Sequence, residues 1–354
     1  MKEAPAGPGA ADADRPLVDE EALSAYLDDK VPGEGPFDVE RHQAGHSNET
    51  FFVRRDGHEW VLRRPPRGAF LPTAHDVLRE YQVLSALGDT PARSPQTVLA
   101  CGDESVIGAP FYLMEKVHGV VVRDRLPDSI DETGRRQIGE ELVDALAELH
   151  AVDWQAVGLG GWGRPSGYLY RQLRRWSGQL ALASEHTRPL PELEKVAAWL
   201  AEHRPESPPP TIVHGDYKLD NVVLDPEPPV RLVSILDWEM STIGDPFADV
   251  GYLLSFWREP DDPSDVILAD QTELTRIPGF ATRDELVARY AERSGRHPGD
   301  LTWYVVLALW KLAILLEGSY ARHLAGVTDD PFFALLEEGV PALGRRALEV
   351  AHAG

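Results

Sequence analysis

Through the first 118 residues, apolar and polar positions alternate in short runs, the period-two pattern of half-buried strands. Phe37–His42, Thr50–Arg54 and Glu59–Arg64 read as three strands. Asp56-Gly57, between the second and third, suits the tight turn of a hairpin. Pro65-Pro66 ends the third strand, because proline cannot donate to a ladder. From about Ala74 to Leu87 the period becomes helical, with Val77, Leu78, Tyr81, Leu84 and Leu87 on one stripe. Thr97–Cys101 and Phe111–Glu115 return to strand. Five strands and one helix make a small antiparallel lobe.

Beyond about residue 119 helical spacing dominates. Ile138–His150, Tyr168–Ser184 and Pro191–His203 read as helices. The proline-rich break Pro205–Pro210 is followed by strands between Thr211 and Leu236, and then by helices again. Thr282-Arg283-Asp284-Glu285 fits a capping box, and Leu301–Arg322 is the longest helical run. Its most apolar stretch, Leu301–Leu316, carries Lys311 and is followed by Glu317, so it reads as a buried helix and not a membrane span. No internal repeat is visible. The order predicts an α+β fold: residues 1–16 a frayed tail, 17–115 a small five-stranded lobe with one helix, and 116–354 a larger, mainly helical lobe with an inserted hairpin.

The chain has 354 residues, of which 43% are hydrophobic, enough for a large core. Its 35 basic residues against 58 acidic ones give a net charge of −23. So negative a field repels nucleic acid and anionic membranes, and neither is expected as a partner. Cys101 is the one cysteine, which excludes an internal disulfide and a cysteine-based zinc site. Met1–Arg15 lacks the basic-then-apolar pattern of a signal peptide, so a cytoplasmic protein is expected.

The chemistry concentrates between His214 and Asp249. Ile212-Val213-His214-Gly215-Asp216-Tyr217-Lys218-Leu219-Asp220-Asn221 leads into the apolar run Val222–Leu224, a proline-rich turn, and the run Val230–Leu236, ending at Asp237. If the two runs pair as a hairpin, Asn221 opens one strand beside the end of the other, where Asp237 stands. An amide oxygen and a carboxylate then share one spot, as a hard divalent ion with phosphate ligands requires. Asp216, on the loop feeding that spot, can orient a hydroxyl and accept its proton as the oxygen attacks phosphorus. Lys218 can reach the transferring phosphoryl group as a point charge.

The string H-G-D-x-x-x-x-N, followed by strand, turn, strand and Asp, resembles the catalytic and metal-binding segments of protein-kinase-like phosphotransferases. Gly215 after the histidine, Asp237-Trp238-Glu239, and Gly244-Asp245-Pro246-Phe247-Ala248-Asp249-Val250 look like the aminoglycoside phosphotransferase and choline kinase superfamily. The resemblance covers roughly Phe37 to the C-terminal helices. It implies a bilobal kinase-like fold with nucleotide held between the lobes, Asp216 as base, Asn221 and Asp237 as Mg2+ ligands, and His214 and Asp249 as braces of the loop.

The same resemblance places a phosphate-covering loop at Ala44-Gly45-His46-Ser47-Asn48-Glu49-Thr50, with Gly45, Ser47 and Asn48 near the nucleotide; read alone, the segment is equally a plain turn. Kinases hold phosphates with a lysine on the next strand, whereas Arg63 occupies that position here. A guanidinium binds phosphate bidentately but is not a conservative exchange. Glu80 is the natural ion-pair partner of Arg63. Phe111–Val117 runs into the interlobe hinge, where the backbone of Glu115 and Val117 would meet adenine; Met114 fits that role or plain core alike.

On the acceptor side, Arg171, Arg174 and Arg175 fall on one helical face, which suits an anionic acceptor or, equally, a solvated surface. Trp303, Tyr304, Trp310 and Tyr320 on the long helix fit an acyl groove or simple core. Leu62-Arg63-Arg64-Pro65-Pro66, Val106–Tyr112 and Tyr168–Trp176 look like the phosphotransferase domain found fused to, or encoded beside, acyl-CoA dehydrogenases, a subgroup that shares the arginine at position 63. That subgroup implies ATP and Mg2+ as cofactors, a hydroxyacyl-CoA as acceptor and a functional link to an acyl-CoA dehydrogenase. An aminoglycoside- or choline-type kinase and a catalytically weak pseudokinase that only binds nucleotide are the alternatives. Arg63 favours the last; Asp216, Asn221 and Asp237 oppose it.

Overall fold

The computed structural model describes residues 16–42, 48–67, 76–263, 273–326 and 330–353. The chain divides into two compact units, one formed by Met1–Thr90 with Ser94–His118, the other by Pro91–Arg93 with Gly119–Gly354.

The first unit holds an antiparallel sheet of β1 (Asp38–His42), β2 (Glu49–Arg55), β3 (His58–Arg64), β4 (Thr97–Cys101) and β5 (Phe111–Glu115), in the order β1-β2-β3-β5-β4. The β2–β3 turn places Asp56 at φ 49° and Gly57 at φ 78°, the doubly left-handed geometry that the Asp-Gly pair tolerates. Helix α1 (Glu20–Leu27), which the sequence pattern does not reveal, starts where Asp19 accepts the Ala22 N–H at 3.0 Å. Leu23 and Leu27 are fully buried in one core with Val53, Trp60, Leu62 and Phe111. Helix α2 (Val77–Leu87) is capped by Asp76 and buries Val77, Glu80, Val83, Leu84 and Leu87. Its buried face is therefore turned from the predicted stripe, and it carries a carboxylate inward. The junction with the second unit follows His118, because Lys116 remains on the sheet through an ion pair to Glu59 at 2.9 Å.

In the second unit α3 (Glu132–Ala151) begins six residues before the predicted start, where Asp131 caps it by accepting the Gly134 N–H at 2.8 Å. Then come α4 (Tyr168–His186), α5 (Pro191–Glu202), β6 (Thr211–Val213), β7 (Val222–Asp225), β8 (Arg231–Ile235), β9 (Thr242–Gly244), α6 (Phe247–Phe256), α7 (Arg283–Ser294), α8 (Thr302–Leu324) and α9 (Leu336–Ala353). Strand β6 pairs with β9 and β7 with β8, both antiparallel. The capping box at Thr282 and Glu285 forms as the sequence predicts. Helix α8 is long and apolar enough to cross a bilayer, yet most of it is buried and it packs against α4, α5, α6 and α9. The pairing of β7 with β8, the packing of α3 on β6 and the hydrogen bonds from the turn after β6 to α6 deliver the chemistry-bearing residues to one place.

Candidate active site

Strand β6 ends at Val213, and the chain turns through His214, Gly215 and Asp216. Gly215 has φ 86°, and a Cβ there would stand 2.7 Å from the Met240 carbonyl oxygen, so the turn requires glycine. Asp249, fully buried in the first turn of α6, accepts the N–H of His214 at 2.7 Å and that of Gly215 at 2.8 Å. A third hydrogen bond comes from His150 Nε2 on α3 at 3.2 Å. Burial pushes the Asp249 carboxyl up, but His150, His214 and the Gly215 N–H outweigh it and hold the group below its ordinary value. The His214 ring completes the brace. Its Nε2 donates to the Leu236 carbonyl at 2.8 Å, and its Nδ1 accepts the Asp216 N–H at 3.2 Å.

The β7–β8 hairpin brings Asn221 and Asp237 to one end. Val222 pairs with Ile235, and the Leu236 N–H donates to the Asn221 carbonyl at 2.8 Å. Asp237 follows in the left-handed region at φ 63°, an uncommon conformation that Asp tolerates better than most residues. The Asn221 side chain donates through Nδ2 to Asp216, to Oδ2 at 2.6 Å and to the backbone oxygen at 2.8 Å. Because the amide nitrogen is committed to Asp216, the amide oxygen is the atom left for a cation. Among the described residues no group of three or more His, Cys, Asp or Glu side chains could hold a metal by itself. Two hard oxygen donors still fit Mg2+, which takes few protein ligands and completes its shell with phosphate and water. Lys218 bonds Asp220 at 3.0 Å and lies over the Phe256 ring. Burial pulls its pKa down, but Asp216, Asp220 and Asp237 more than offset this and hold it above the ordinary lysine value.

Two groups that the sequence pattern does not bring to the site stand beside Asp216. Tyr252 is buried close to the Asp216 carboxylate, and burial together with that charge raises the phenol well above its ordinary pKa. Lys311 of α8 donates to the Gly215 carbonyl, with its ammonium 4.7 Å from the Tyr252 ring centre and 5.7 Å from that of Trp176. Burial pulls Lys311 down to about 8, with Asp216 and Asp249 opposing the fall. Tyr168, Gln172, Trp176, Tyr252, Tyr304 and Lys311 line a small cavity against Gly215. The one available signal was a lone charge inside an apolar helical run.

The arginine stripe on α4 is less unified than its spacing predicts. Arg171 is engaged by the Ser166 and Arg164 carbonyls, and Arg174 is exposed. Arg175 lies 5.1 Å over the Trp176 ring and contributes charge at Lys311. In the first unit Arg63 and Glu80 form the expected ion pair at 2.8 Å, both nearly buried. Asn48 is buried too, whereas Gly45 and Ser47 lie outside the described residues. The Glu115 N–H donates to the Gln96 carbonyl at 2.8 Å and that of Lys116 to the Glu59 carbonyl at 3.2 Å; Val117 follows, half-buried.

A carboxylate, Asp216, held beside Asn221 and the hairpin end that carries Asp237 suits phosphoryl transfer, and the comparisons with known proteins point to the same class of reaction. Residues 38–297 match the model of the phosphotransferase enzyme family, APH. The chain is 34% identical over 313 residues to acyl-CoA dehydrogenase family member 10 of Mus musculus, covering 87% of this chain and 29% of that protein. It is 33% identical over 338 residues to family member 11 of Rattus norvegicus, covering 93% of this chain and 43% of that one. The chain thus spans well under half the length of these relatives. A candidate aminoglycoside phosphotransferase of Ralstonia eutropha JMP134 superposes with TM-score 0.80 at 32% identity, over 95% of this chain and 99% of that one. Aminoglycoside 2'-phosphotransferase-IIIa, solved as a GDP complex, shares the fold with TM-score 0.60 at 18% identity, over 92% and 97%. By class the chain is a phosphotransferase. It belongs to the phosphotransferase enzyme family.

Proposed function

We propose that the protein transfers the γ-phosphoryl group of ATP to the hydroxyl of a hydroxyacyl-CoA, in functional association with an acyl-CoA dehydrogenase. The observation that carries the chemistry is the Asn221 amide, which joins the hairpin end bearing Asp237 to the Asp216 carboxylate at 2.6 Å. The acceptor is suggested by acyl-CoA dehydrogenase relatives matched over most of this chain. Asp216 takes the proton of the acceptor hydroxyl as the oxygen bonds to phosphorus, the bond to the β-phosphate oxygen breaks, and ADP leaves. Asn221 and Asp237 would hold Mg2+, which supplies charge neutralisation across the phosphates. Asp249 and His214 keep Asp216 from drifting, so that little reorganisation remains for the reactive step. Lys218 supplies positive charge near the same carboxylates, and Arg63, oriented by Glu80, is assigned to the nucleotide phosphates.

A mass-spectrometric screen with ATP and Mg2+ tests this against a hydroxyacyl-CoA panel, kanamycin and choline. A phosphorylated acyl-CoA is expected, and Asp216→Asn should lower its formation by at least about a hundredfold while sparing nucleotide affinity. Product from kanamycin or choline alone would overturn the acyl-CoA assignment. Undiminished turnover in the variant would remove Asp216 from the mechanism.

A further inference from the structure

Lys311 is a charge where the surrounding sequence demands none. Its neighbours on α8, Leu309, Trp310, Leu312 and Ala313, are all buried, and an ammonium placed among them is expensive unless it is compensated. Compensation comes from the Gly215 carbonyl, from the faces of Tyr252 and Trp176, and from the fields of Asp216 and Asp249. A methionine or leucine would fill the same place without that demand, so the fold alone does not explain the lysine.

The neighbouring negative charges are already matched. Asp249 accepts three hydrogen bonds, and Asp216 accepts from the Asn221 amide. Two polar groups of the cavity wall are also engaged. The Trp176 indole donates to Gln172 at 3.0 Å, and the Tyr304 hydroxyl to Asp245 at 2.9 Å. Lys311 is then the charged donor that faces this small aromatic cavity, on the carbonyl one residue before Asp216, with the positive charge of Arg175 nearby.

Building on the phosphotransferase reading above, we propose that Lys311 is the specificity-determining residue of the acceptor site: it hydrogen-bonds a carbonyl or carboxylate oxygen a few bonds from the reacting hydroxyl and excludes acceptors that carry an ammonium group there. An acyl compound satisfies both demands, with its oxygen on Lys311 and its carbon chain against the rings. An aminoalcohol would bring a second cation into a largely buried chamber, where like charges repel more strongly than in water. A hydrogen bond to a charged group is worth about 1.5–3 kcal/mol, or roughly ten- to a hundredfold in affinity.

The test compares hydroxypropionate with aminopropanol, matched three-carbon alcohols, by ligand-observed NMR on the whole protein without ATP. Wild type should bind the carboxylate at least about tenfold more tightly. Lys311→Met should abolish that preference, and Lys311→Arg should restore much of it. Equal affinities in wild type, or a preference unchanged in Lys311→Met, would overturn the proposal. If the methionine variant folds poorly, Lys311→Gln, which keeps a polar side chain without the charge, carries the same comparison. Because binding is read without chemistry, absent phosphoryl transfer counts against the proposed function and not against the role of Lys311.

Discussion

Replacing Asp249 by asparagine changes one atom and removes one charge, yet it strikes the point from which the reactive loop hangs. The carboxylate accepts the N–H groups of His214 and Gly215 and the ring N–H of His150. An asparagine offers one oxygen and one NH2, so one of these donors must face another donor. Leaving a buried donor unpaired costs about 1–3 kcal/mol, and the two remaining bonds each lose about 1 kcal/mol with the charge. The expected loss is therefore about 3–5 kcal/mol, or roughly 10 °C in melting temperature for a unit of this size. Because the displaced backbone carries Asp216, kcat should fall by about a hundredfold, with little change in KM for ATP. Thermal denaturation and steady-state kinetics read the two effects together. The pH dependence supplies the sign. The folded-state pKa of Asp249 is depressed from its ordinary value of 3.8, so its contribution is full above that value and fades as the pH falls further. The gap between wild type and variant should stay constant at neutral pH and close only in acid. A variant as stable and as active as wild type at pH 7 would refute the reasoning.

Two further outcomes can be checked in the same way. Glu80→Gln leaves the nearly buried Arg63 without its countercharge and should destabilise the first unit by about 3 kcal/mol in urea titrations, while raising KM for ATP more than it lowers kcat; an unchanged KM would separate Arg63 from the nucleotide. Gly215→Ala forces a Cβ towards the Met240 carbonyl at a positive φ and should cost about 1–3 kcal/mol with a large loss of kcat, so an alanine variant with wild-type kinetics would show that the turn is not needed in this form.

The elements most legible in the sequence are those whose cause is local. The Asp-Gly turn, the Thr282 capping box, and strands β4 and β5, which match their predicted bounds residue for residue, all depend on neighbours a few positions apart. Helix α1 escaped notice because eight residues hold only two core positions, Leu23 and Leu27, too few to establish a period. The start of α3 was missed for a related reason: its first turn is polar, and only the capping hydrogen bond of Asp131 reveals it.

The site divides along the same line. Asp216, Asn221 and Asp237 could be read as a set because a hairpin converts sequence spacing into proximity, and hairpin pairing follows from two apolar runs and a turn. The arginine face of α4 was predicted by spacing too, but spacing could not say that Arg171 is held by the carbonyls preceding its own helix. Nothing local could place Lys311 against Gly215, 96 residues away, or bring Tyr252 close to Asp216. Those approaches result from helices packing on one another, and packing is decided by the volume and shape of whole faces. The sequence by itself therefore determined the family of reaction and drew Asp216, Asn221 and Asp237 into one set; the tertiary structure alone decided which charges surround them, because electrostatic reach depends on distance through space and not along the chain.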